Sequence, residues 1–82
     1  MADHAVTIYT REDCHLCAEA KATVERVASQ VDDDVSVTAV DVDDDPDLAE
    51  RYGERVPYVL VDGRPAFKYR VDPPELRSRL DA

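Results

Sequence analysis

The segment Tyr9-Thr10-Arg11-Glu12-Asp13-Cys14-His15-Leu16-Cys17 joins two patterns of different period. Ahead of it, Ala5 to Thr10 reads as a short strand, β-branched and apolar at Val6 and Ile8. Behind it, Leu16, Ala20, Val24, Val27 and Val31 recur at helical spacing, so Leu16 to Val31 is expected to form an amphipathic helix packed on a sheet through that stripe, Leu16 included. The only two cysteines of the chain, Cys14 and Cys17, sit where strand gives way to helix. A thiol there faces unpaired backbone N–H groups and the positive end of the helix dipole. Both favour the thiolate, the reactive form. Residues three apart lie on one helical face, so the two sulfurs can meet and act as a reversible dithiol/disulfide switch.

The pattern continues outward as a single domain over residues 1–82. Asp32-Asp33-Asp34 closes the helix as a polar turn. Val35, Val37 and Ala39 then alternate with polar residues, whereas Val40 and Val42 follow on the opposite parity. A second strand is expected, with an irregularity near Ala39-Val40. A strand, a helix and a strand in that order imply parallel pairing with a right-handed crossover. Asp45-Pro46 supplies a cap and a first-turn proline for a short helix through Leu48, Ala49 and Tyr52, with Gly53 as its C-terminal cap. Pro57 to Val61 is an apolar strand, Asp62-Gly63 a hairpin signal, and Arg64 to Tyr69 the returning strand. Pro65 cannot donate to a ladder, which puts that last strand at an edge. Asp72-Pro73-Pro74-Glu75 opens a final helix, anchored by Leu76 and Leu80.

Composition excludes several classes. The net charge is −9, from 19 acidic against 10 basic residues, so phosphate backbones are repelled and nucleic acid is not an expected partner. No apolar run is long enough to span a bilayer. Met1-Ala2-Asp3-His4 has no basic region or apolar core of a signal peptide, so the expected setting is a reducing cytoplasm. In that setting a lone C-x-x-C is catalytic or metal-binding rather than structural. With 13 Asp, 6 Glu, 8 Arg and 2 Lys, the surface is similar to that of proteins from salt-accumulating halophiles.

The order β-α-β-α-β-β-α with C-x-x-C after the first strand is the thioredoxin-fold plan. Y-T-R-E-D-C-H-L-C resembles the glutaredoxin active-site segment, which has a basic residue three before the first cysteine. Val56-Pro57 resembles the Val-Pro step of that family. The chain is most similar to short glutaredoxin-like proteins with C-x-L-C. The resemblance implies an α/β thioredoxin-like fold with a four-stranded mixed sheet flanked by helices. It also implies a thiol–disulfide oxidoreductase in cell redox homeostasis, acting as a monomer on protein disulfides or on glutathione, with no tightly bound cofactor.

Cys14, at the helix start, is the candidate nucleophile, and Cys17, one turn in, the resolving thiol. Arg11 is expected to favour the Cys14 thiolate. Asp13 opposes it by like charge, and His15 assists only if protonated and turned toward the sulfur. The resemblance implies a cis bond at Val56-Pro57, with the Val56 backbone offered to an extended substrate. Arg55 and Arg11 would form a basic island beside Cys14 that suits a carboxylate. The Gly-Gly pair usual in glutathione-binding glutaredoxins is replaced here by Phe67-Lys68-Tyr69-Arg70-Val71-Asp72, which weakens the case for glutathione.

The alternative reading is a Cu(I) or zinc carrier using Cys14, His15 and Cys17, with His4 as a further ligand. The terminal helix and the Val-Pro step speak against it. Asp41-x-Asp43-x-Asp45 imitates a calcium loop but has Pro46 and Tyr52 where glycine and glutamate are required.

Overall fold

The computed structural model describes residues 3–81. Its elements follow the order read from the sequence: β1 (His4–Thr10), α1 (His15–Gln30), β2 (Val35–Asp41), a 3-10 turn (Val42–Asp44), α2 (Pro46–Tyr52), β3 (Tyr58–Val61), β4 (Arg64–Lys68) and α3 (Pro73–Asp81). The sheet runs β2-β1-β3-β4, with β1 and β2 parallel and the other pairings antiparallel. This is the α/β thioredoxin-like architecture. Pro65 lies on β4, which is an edge strand as expected.

Alternation along β1 sends Val6 and Ile8 to one face and Tyr9 to the other. On the first face, Val6, Ile8, Val59, Val61 and Phe67 close a core with Val24 and Val27 of α1 and Leu76 and Leu80 of α3. Each such Val or Leu side chain contributes roughly 1.5–3 kcal/mol by leaving water. On the second face the covering is thinner. α2 buries no residue fully, and it is held by Tyr52, which stacks on Tyr9 at 4.5 Å and meets Tyr58 in a tilted contact at 4.8 Å between ring centroids.

Two local expectations are corrected. β2 has no irregularity at Ala39-Val40: its pairing with β1 runs unbroken from His4↔Val35 to Thr10↔Asp41. The change of parity arises because Val40 faces away from the α1 layer and Val42, fully buried, already belongs to the 3-10 turn. The register shift sits instead between Val59 and Leu60 in the β3–β4 pair. Gly53 is the C-terminal cap of α2, as expected, and takes the right-handed conformation, φ −55° and ψ −32°. Glycine is required there by close approach, since a Cβ would collide with the Ala49 carbonyl oxygen.

Leu16, expected to pack on the sheet, is instead 38% exposed. Cys14 is the N-cap of α1, and Cys17 takes the inward position, one turn ahead of Ala20 and two turns ahead of Val24. Leu16, a helical step of about 100° from Cys17, is turned out.

Candidate active site

Asp13, with φ +57°, turns the chain from β1 into α1. Short polar residues such as aspartate tolerate that left-handed conformation. Cys14 follows in extended geometry as the N-cap, and its Sγ accepts a hydrogen bond from the Cys17 backbone N–H at 3.1 Å. A sulfur therefore stands where a serine or aspartate oxygen usually caps a helix. Cys14 and Cys17 are joined by a disulfide, with Cα atoms 5.2 Å apart. Cys14 is half-buried and Cys17 only 3% exposed, so the two sulfurs differ in access as their positions in the helix imply.

The charged neighbours are arranged differently from the sequence expectation. Arg11 does not aim its charge at Cys14. Its Nε and Nη2 donate to the Asp43 carboxylate at 2.9–3.2 Å, and its Nη1 donates to the Gly53 carbonyl at 3.1 Å. The bonded Asp43 carboxylate raises the Arg11 pKa further, and Arg11 in turn holds the Asp43 carboxyl below its ordinary value. Arg11 thus ties the active-site loop to the 3-10 turn and to the end of α2. Arg55 lies elsewhere, lining clefts with Tyr58, Phe67 and Tyr52 rather than the one at Cys14. Arg11 and Arg55 thus line different clefts, and the Arg11 charge is matched by Asp43. His15 is almost wholly exposed and turned toward Glu19, with Nε2 3.6 Å from its carboxylate.

A cleft of about 550 Å³ opens beside the disulfide, lined among others by Arg11, Asp13, Cys14, Cys17, Lys21 and Ala39. Lys21 was not singled out by sequence reasoning, although its spacing of four from Cys17 places it on the same helical face. Asp43 was also missed as a site residue, since its run of aspartates reads first as a failed calcium loop.

Val56 and Pro57 stand ahead of β3. The bond between them is cis, as the resemblance implies, and Pro57 is buried. The Pro57 carbonyl accepts from Tyr69 N–H at 2.8 Å. Val56 is outside both ladders, and among the described residues no backbone hydrogen bond engages its N–H or C=O.

His4 cannot join the cysteines as a metal ligand. It begins β1 while the cysteines follow its far end, a separation of roughly 20 Å at about 3.3 Å per residue. Its ring is held instead by Asp62, Nδ1 to Oδ2 2.8 Å, and Asp33, Nε2 to Oδ2 3.5 Å. Among the described residues, no group of three or more His, Cys, Asp or Glu side chains is placed to hold a metal ion.

The family model described as "Glutaredoxin-like domain (DUF836)" matches residues 5–81. An uncharacterized protein of Mycobacterium tuberculosis strain H37Rv is 31% identical over 83 residues, covering 98% of this chain and 86% of its own. Among solved structures, the protein XcR50 from X. campestris superposes with a TM-score of 0.72 at 36% identity, over 93% of this chain and 95% of the other. A mutant thioredoxin from Halobacterium salinarum superposes with a TM-score of 0.68 at 27% identity, over 98% of this chain and 74% of the other. With its C-x-x-C pair capping α1 and the match running from β1 through α3, the chain belongs to the glutaredoxin-like domain family of the thioredoxin-fold superfamily.

Proposed function

We propose that this protein is a thiol–disulfide oxidoreductase that reduces disulfides in a reducing cytoplasm, working as a monomer. One observation carries the reading: Cys14 is a half-exposed helix N-cap whose sulfur receives the Cys17 N–H, while Cys17 is buried directly behind it. The reduced Cys14 thiol loses its proton more readily there, because the same N–H and the helix dipole stabilise the anion. Asp13 in the same cleft opposes this.

The Cys14 thiolate attacks one sulfur of a substrate disulfide. A Cys14–substrate bond forms, the substrate S–S bond breaks, and the departing thiolate takes a proton from water. Cys17, deprotonated, then attacks the Cys14 sulfur. The Cys14–Cys17 disulfide forms and the second substrate thiol leaves. Two electrons pass from the protein to the substrate, and an external thiol or dithiol restores them. The free N–H and C=O of Val56, beside Pro57, suit an extended peptide laid across the site. Arg55, adjacent to Val56 and without an ion pair among the described residues, is available to the same substrate. Protein disulfides fit this arrangement better than glutathione, which remains a candidate co-substrate.

The test is a redox titration with mass detection, together with two single variants. Reversible loss of two hydrogens is expected, localised to Cys14–Cys17. Cys17→Ser should accumulate mixed disulfides through Cys14, and Cys14→Ser should abolish exchange. Normal exchange by Cys14→Ser, or one tightly held copper or zinc ion per anaerobically reduced chain, would overturn the proposal.

A further inference from the structure

We infer that Lys21, and not Arg11, is the cation that receives an anionic group of the substrate, in the cleft on the β2 side of Cys14. The inference rests on the oxidoreductase reading and adds a carboxylate-bearing substrate to it.

Arg11 lines this cleft, yet all of its guanidinium nitrogens bond Asp43 or Gly53. Its charge is matched by Asp43, so a carboxylate arriving at Cys14 meets a neutral pair. Lys21 is the other cation on the cleft wall. It is exposed, and among the described residues no ion pair joins it to Asp13, Glu25 or any other carboxylate. It is also one of only two lysines in a chain of net charge −9, so most of the remaining surface repels an anion.

Position supplies the rest. Cys14, Cys17, Ala18 and Lys21 fall at helical intervals of three, four and seven, on one face of α1. Lys21 is roughly 10 Å along the helix axis from Cys14, at about 1.5 Å per residue. Helical side chains lean toward the N-terminus, so its flexible stem carries the ammonium back toward the cysteines. The small side chains of Ala18 and Ala39 leave that approach open. The distance suits a carboxylate one or two residues from the substrate cysteine. Acidic side chains of a peptide and the terminal carboxylates of glutathione share this chemistry.

The test uses S-methylated ligands, which bind without exchanging: an S-methylcysteine peptide with a neighbouring Glu, the same peptide with Gln, and S-methylglutathione. Chemical-shift titration of the reduced protein at low salt should show the Glu peptide or S-methylglutathione binding about three- to fivefold more tightly than the Gln peptide, the size of one exposed ion pair. Shifts should centre on Lys21, and which ligand shows them identifies the source of the carboxylate. Lys21→Gln should remove the preference, and Lys21→Arg should keep it. Lys68→Gln changes the net charge equally and should also keep it. Preference retained in Lys21→Gln, or lost equally in Lys68→Gln, overturns the inference. Tight binding at Lys21 by a protein that never exchanges disulfides would instead overturn the oxidoreductase reading and leave this site standing.

Discussion

Arg11 and Asp43 form a forked ion pair that crosses from the active-site loop to the 3-10 turn after β2. The pair takes up the basic charge that would otherwise act on the Cys14 sulfur. Replacing the acid while keeping its shape, Asp43→Asn, leaves Arg11 in place with its positive charge unmatched. The Cys14 thiol should then ionise at lower pH than in the parent, and alkylation of the reduced protein near neutrality should speed up. Ultraviolet thiolate absorbance against pH reads this directly. An unchanged titration curve would mean that Arg11 has no electrostatic part in the site, only a mechanical one. Arg11→Lys should lower the melting temperature, because an ammonium cannot bond Asp43 and the Gly53 carbonyl with the same planar fork.

A second ion cluster sits at the other end of β1 and governs stability rather than chemistry. The hydrogen bond to Asp62 is the main cause of a raised His4 pKa, with Asp33 adding to it. The same bond leads in lowering Asp62, which also accepts the Ala5 N–H. A raised histidine contributes stability that is fully present below its ordinary value of 6.5 and is lost as pH rises through the higher folded value. A lowered aspartate contributes stability that is present above its ordinary value of 3.8 and is lost as pH falls through the folded one. The melting temperature should therefore fall on the alkaline side of His4 titration and again in acid. His4→Gln should flatten the alkaline slope and, because the His4 bond also leads in lowering Asp62, reduce the acid slope in part. A His4→Gln profile parallel to the parent above neutrality would remove this clasp from the account.

Tyr69 is held at φ +70°, in the left-handed region, and Arg70 N–H closes back on the Lys68 carbonyl at 2.8 Å to make a γ-turn around it. For a bulky residue such a conformation costs on the order of 1–3 kcal/mol. The ring is 43% exposed and offsets little of that cost by burial. Tyr69→Gly should stabilise the fold by up to about 1 kcal/mol in urea denaturation, the strain relieved being reduced by the larger backbone entropy of glycine in the unfolded chain. Tyr69→Ala keeps the strain and should not stabilise. If Tyr69→Gly destabilises instead, the aromatic contacts, including Lys68 over the ring at 5.4 Å, outweigh the backbone cost.

The elements and the placement of the two sulfurs were legible because each is written locally. Period two in β1, period 3.6 in α1, Asp45-Pro46 and Asp62-Gly63 each specify their own neighbourhood, and the structure follows them. The pairing of Arg11 with Asp43 was not legible because the partner is 32 residues away and reachable only once β1 and β2 lie parallel. A basic residue near a cysteine says nothing about which acid the fold will bring to it. Leu16 was misread because, at about 100° per residue, it and Cys17 flank the stripe of Ala20, Val24, Val27 and Val31 at nearly equal angles. The stripe looks equally good with Leu16 or with Cys17 in the inward position, and the sulfur cap on α1 decides between them.

The last prediction concerns salt, and the structure sharpens it. The surplus of nine negative charges repels itself, and added KCl shortens the Debye length from about 10 Å at 0.1 M to about 3 Å at 1 M. Not every aspartate is idle, however. Asp41 and Asp45 accept the backbone N–H groups of Asp43 and Asp47, both at 2.9 Å, while Asp43 holds Arg11. Asp32 and Asp44 are exposed and make no hydrogen bond or ion pair among the described residues. Screening should therefore help through the unengaged acids and hurt slightly through the Arg11 and His4 pairs, and the surplus of acids makes the first effect larger. The melting temperature should rise from low salt to molar KCl. The double variant Asp32→Asn/Asp44→Asn should be more stable at low salt and show a shallower rise. For a domain of this size about 1 kcal/mol corresponds to roughly 4–8 °C, so the difference between the two curves is measurable. A parent protein whose melting temperature is flat or falls with KCl would show that the acidic surface is not under electrostatic strain, and the likeness to halophilic composition would then carry no consequence for stability.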